Sequence, residues 1–103
     1  SAQVRLQAVA GLGARRGEKS AGTLVRVLDE EADMEVQLAI LQSLGRLGTP
    51  DAVQKLIKAA EPDGRFFKKK SVDYRVAAVN ALAEARTSVA LAALQQLNND
   101  REK

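Results

Sequence analysis

The chain has 103 residues and a formal net charge of +3, from 16 basic and 13 acidic side chains; that length fits one domain of ordinary size. It contains no Cys and no His, which excludes disulfides, thiolate chemistry, the common zinc sites and His-based triads. Apolar residues make up 46%, and 41 of the 47 are Ala, Leu or Val, so a core can form, but from small aliphatic groups.

Apolar spacing is helical along the chain, and no stretch alternates over a strand length. Val4, Ala8 and Leu12 predict a first helix over 2–13. The segment Gly11-Leu12-Gly13-Ala14-Arg15-Arg16-Gly17 reads as its C-terminus and turn, with Arg15 and Arg16 complementing the helix dipole. No strand precedes these glycines, so they do not form a phosphate-cradling loop. Ala21, Leu24 and Leu28 mark a second helix over 19–30. The acidic run Asp29-Glu30-Glu31-Asp33-Glu35 lacks the glycine and ligand spacing of a calcium loop and reads as a solvated turn.

Asp33 is the candidate N-cap of a third helix over 34–47, carrying Val36, Ile40, Leu44 and Leu47. Gly45 and Gly48 sit where that helix should stop. Thr49-Pro50-Asp51 supplies an N-cap, a proline at the first helical position and an acid in the first turn. It opens a fourth helix over 50–60, with Val53, Leu56, Ile57 and Ala60. Pro62-Asp63-Gly64 breaks the chain. Ser71 caps a fifth helix over 72–85, and Thr87 a sixth over 88–98.

No apolar run approaches the roughly 18–20 residues of a membrane span, and the amphipathic N-terminus lacks a signal peptide's apolar segment. The chain starts at Ser1 and enters its periodic pattern at once, which suggests a piece of a longer, cytoplasmic protein.

Three segments repeat. Val4 to Gly13, Val36 to Gly45 and Tyr74 to Ala83 align at offsets of 32 and 38 residues. Leu12, Leu44 and Leu82 coincide, as do Val9, Leu41 and Val79, and Gly13, Gly45 and Ala83. Beyond them Ala21, Val53 and Leu91 correspond, then Leu24, Leu56 and Leu94, after which the third copy slips by one residue at Leu97. A single helical hairpin has apolar residues on more than one face; stacked hairpins cover one another. The reading is a single all-α domain over 1–103, a right-handed α-α superhelix (solenoid) of three antiparallel helical hairpins. Its repeats lie at about 2–31, 33–61 and 71–99, with a basic insertion over 61–71.

The repeated pattern, followed by a Gly-Thr-Pro-Asp turn and a second helix with paired aliphatics, resembles HEAT repeats. The stretch Asp33 to Ala60 is most similar to the short bacterial subtype called phycobilisome-lyase HEAT-like repeats. The first copy departs from the pattern, with Gly17-Glu18-Lys19-Ser20 where the second has Thr49-Pro50-Asp51-Ala52, and the second-to-third connection is six residues longer. The resemblance implies a non-enzymatic scaffold or protein-interaction module without a cofactor. It leaves open a bilin lyase or chaperone-related subunit, or a nucleic-acid-binding helical repeat, though no motif here carries either activity.

The insertion holds two of the three aromatics and the densest charge. Between Gly64 and Arg75 lie five basic residues against Asp73, a local +4 in a chain whose remainder sums to −1. Arg65, Phe66, Phe67, Lys68, Lys69 and Lys70 are therefore candidates for binding another protein: aromatic anchors beside lysines that steer an acidic partner. The competing reading, favoured for the phenylalanines, is a core plug over the helix ends, since a buried Phe is worth about 1.5–3 kcal/mol. No basic stripe runs along successive helices, which argues against nucleic acid. Arg26, Lys55 and Lys58 join the candidates, with Gln54, Gln95 and Gln96, as polar residues on the second helices, which would line a concave surface. Arg5 and Arg75 occupy equivalent places, with Gln37 between, and the resemblance implies structural bonds to Asp33 or Asp73. Ser and Lys permit a Ser–Lys dyad on paper, but nothing in the pattern gathers polar groups into a pocket.

Overall fold

The computed structural model describes residues 1–14, 18–62 and 70–101. These hold six helices and no strand: α1 (Ala2–Ala14), α2 (Glu18–Glu30), α3 (Met34–Leu47), α4 (Pro50–Ala60), α5 (Val72–Ala85) and α6 (Ser88–Arg101). The starts are set by side-chain caps. Asp33, Thr49, Ser71 and Thr87 accept hydrogen bonds from the backbone N–H groups of Val36, Ala52, Tyr74 and Ala90, at 3.1–3.3 Å. Each satisfies a donor that the first helical turn leaves unpaired.

The ends differ. Gly48 closes α3 in the left-handed conformation (φ 61°), where glycine carries no steric penalty. Arg86, its counterpart 38 residues on, closes α5 with nearly the same geometry (φ 56°) despite its β-carbon. Gly45 does not end α3; it lies within the helix, for a reason that packing supplies.

Helices α1, α3 and α5 pack side by side as one layer, and α2, α4 and α6 as the other. The layers also pack on each other, with α2 against α3 and α4 against α5. One apolar core runs through the stack, with Leu24, Val36, Ile40, Leu41, Leu44, Val53, Leu56 and Leu82 almost wholly buried. The middle copy is the driest because it has neighbours on both sides: Val36 is fully buried, whereas its first-copy counterpart Val4 is 63% exposed. Likewise Val53 is 2% exposed and its third-copy counterpart Leu91 52%. Such dependence on neighbouring units is what a stacked repeat requires.

Two glycines let the first layer close up. A β-carbon on Gly13 would lie 2.5 Å from the Ser43 Oγ, and one on Gly45 would lie 2.8 Å from the Ala81 carbonyl oxygen. Ser43 and Ala81 are themselves counterparts, so the repeat register produces the same crossing twice.

Candidate functional site

The turn between α2 and α3 is organised by one acid, Glu31. Its side chain is only 4% exposed. The Arg5 Nε donates to its Oε1 at 2.7 Å, and the Asp33 N–H donates to its Oε2 at 3.0 Å. The Gln37 Nε2 donates to its backbone carbonyl at 2.6 Å. The Asp33 N–H, and after it Arg5, hold the Glu31 carboxyl below its usual value against the opposing effect of burial. Arg5 thus makes the kind of structural bond expected, but to Glu31 and not to Asp33 or Asp73. Arg75, its counterpart, donates to the Ala60 carbonyl at 3.4 Å. The acidic run is not uniformly solvated, since Glu31 turns inward to pin α1 to the turn. No local signal separates Glu31 from Glu30; the distinction arises where α1 crosses.

Polar residues expected on the second helices do fall on one layer. Arg26 on α2, Gln54 and Lys58 on α4, and Gln95 and Gln96 on α6 are exposed. Arg26, Lys58 and Gln96 stand at equivalent positions, 32 and 38 residues apart, on three adjacent helices. They form a polar row across the layer with its two positive charges on α2 and α4. Lys55 is half-buried, and its ammonium pairs with Asp29 of α2, so it ties two helices together as well as adding charge. Tyr74 is half-buried on α5; burial, and then the charge of Asp29, raise its phenol above the ordinary 10.0.

Of the basic insertion, Arg65, Phe66, Phe67, Lys68 and Lys69 lie outside the described residues. Lys70 is described, and its ammonium donates to the backbone carbonyls of Lys58 and, at 3.1 Å, Glu61. It sits as a cation on the C-terminal turn of α4, where unpaired carbonyls and the helix dipole favour it.

A groove of about 630 Å³ opens beside α5, lined by Ala60, Pro62, Val72, Arg75, Val76, Val79 and Leu97. Its walls are mostly apolar, and Arg75 is the one charged residue among those lining it. Among the described residues no cluster of three or more Asp or Glu side chains is arranged to hold a metal ion, and no helix is long and apolar enough to cross a membrane.

Comparison with known proteins agrees with the layered geometry. The family model of HEAT repeats matches residues 1–72, the first two copies and the connection to the third. Neither a curated protein nor a solved structure matches the chain.

Proposed function

The chain belongs to the HEAT-repeat family, and from that premise we propose that it is a non-enzymatic module that binds another protein through the outer surface of α2, α4 and α6. Members of this family generally mediate protein–protein interaction or scaffolding and are typically non-enzymatic. In this reading the six helices are three antiparallel hairpins wound into a right-handed superhelix. The observation that carries the proposal is the row Arg26, Lys58 and Gln96, which recurs at the repeat spacing across three packed helices. A rigid row of this kind presents long polar side chains at fixed intervals, and two positive charges select a partner with acidic groups at matching spacing. The basic residues Arg65, Lys68 and Lys69 carry the same charge preference. The phycobilisome-lyase-like subtype rests on the stretch Asp33 to Ala60 alone.

The test is affinity capture with the chain as bait, run in parallel with the Arg26→Glu/Lys58→Glu variant. Both positions are exposed, so the fold should survive the change. Partners held by the original and released by the variant support the assignment. Identical capture by both would place binding elsewhere.

A further inference from the structure

Where α3 and α5 pack side by side, the first layer carries a smaller cleft on its outer surface. Its volume is about 240 Å³, and it is lined by Leu38, Gln42, Ala77, Asn80, Ala81 and Glu84. Leu38, Ala77 and Ala81 are buried or half-buried and make a hydrocarbon floor; Gln42, Asn80 and Glu84 are exposed and make a polar rim. Exposure of this surface does not depend on stacking. The middle copy has a neighbour on each side, yet its Gln42 and Arg46 are exposed, as are their third-copy counterparts Asn80 and Glu84.

We propose that this cleft binds an arginine side chain of another protein, with the alkyl stem on the floor and the guanidinium among the three rim groups. Glu84 is the one charged residue among those lining the cleft. Its carboxylate stands 3.9 Å from the Arg46 Nε, beyond hydrogen-bonding distance, and the two side chains are 50% and 57% exposed. It therefore keeps its capacity to accept from a second cation. Among the described residues neither the Gln42 nor the Asn80 side chain has a hydrogen-bond partner, so both offer a carbonyl oxygen. Glu84 also lies in the last turn of α5, where the helix dipole adds negative potential. Arginine matches this surface because it joins an apolar stem to a planar head with five donors.

The repeat supplies an internal comparison. Between α1 and α3 the corresponding positions hold Leu6, Ala10, Ala39, Gln42, Ser43 and Arg46. The floor there is similar, but Arg46 takes the place of Glu84 and Ala10 that of Gln42. A cation is repelled at that junction and attracted at the next, so the preference belongs to the α3–α5 cleft and not to the repeat as such. The cleft lies on the opposite layer from the row Arg26, Lys58 and Gln96, and it selects the opposite charge.

The experiment is a proton–nitrogen NMR titration of the chain with the peptide acetyl-Ala-Arg-Ala-amide, with acetyl-Ala-Gln-Ala-amide as the uncharged control. The arginine peptide should shift the side-chain amide signals of Gln42 and Asn80 and the backbone signals of Ala77 and Ala81. The shifts should saturate with a dissociation constant on the order of millimolar, because an exposed ion pair adds little. Glu84→Gln should weaken binding by about fivefold, with signal dispersion showing that the fold is kept. The Arg26→Glu/Lys58→Glu variant should bind the peptide as the original chain does, which separates this cleft from the second-layer row. Absence of saturable shifts at those four residues overturns the proposal. Equal binding of the glutamine peptide overturns it as well, as does binding unchanged in Glu84→Gln.

Discussion

Gly45 of α3 and Ala81 of α5 approach closely: a β-carbon on Gly45 would come within 2.9 Å of both the Cα and the Cβ of Ala81. Neither helix can yield locally, because the obstructing atoms include backbone. Gly45→Ala should therefore destabilise the fold by about 1–3 kcal/mol, the usual cost of overpacking, even though alanine is the better helix former. Gly22 is the control. It also lies within a helix, but a β-carbon there meets nothing within 4 Å. Gly22→Ala should stabilise by about 0.5–1 kcal/mol. Urea titration of both variants reads opposite signs if packing decides the outcome.

The Glu31 carboxylate predicts an acid dependence. Its folded-state pKa is lowered from the ordinary 4.5, chiefly by the Asp33 N–H and then by Arg5. A depressed carboxyl contributes stability that is fully present above its unfolded-state value and is lost as pH falls through the folded-state value. Wild-type stability should thus fall as pH drops below about 4.5, and the fall should be shallower in Glu31→Gln. Thermal melts of the two proteins at a series of acidic pH values check this. Equal slopes would show that Glu31 is not among the titrating groups.

Arg86 holds a left-handed backbone angle that its counterpart Gly48 holds without strain. Arg86→Gly should raise stability by about 0.5–1 kcal/mol: relief of about 1–2 kcal/mol of steric penalty, partly offset by the greater freedom of glycine in the unfolded chain. A rise in the urea midpoint at unchanged slope is the expected readout.

Lys70 separates a capping role from a docking role. Its ammonium sits on the carbonyls of Lys58 and Glu61. Lys70→Met should lower stability by about 0.3–1 kcal/mol, in line with a cation at a helix C-terminus. Stability unchanged in low salt would mean that the contact adds nothing to the fold.

Secondary structure and register were already determined by the sequence. Starts follow from chemistry within a few residues: Asp33, Thr49, Ser71 and Thr87 each bond to an N–H three positions on. The helices accordingly fall where spacing and caps put them, with α6 running to Arg101 instead of 98 and α1 and α2 each one residue longer. The repeat offsets likewise identify the core, because Leu24 and Leu56, or Leu44 and Leu82, occupy the same place in successive units. Tertiary structure decided what crosses between units. Glu31 and Glu30 are chemically alike, and only the path of α1 brings Arg5 to one of them. Gly45 reads in sequence as a stop, yet it lies within α3 where a β-carbon would collide with Ala81 of α5. Lys70 belongs by composition to a basic run, yet the end of α4 lies within its reach. Local hydrogen bonding needs only neighbours in the chain, whereas pairing and close approach depend on distances between helices that no window of sequence contains.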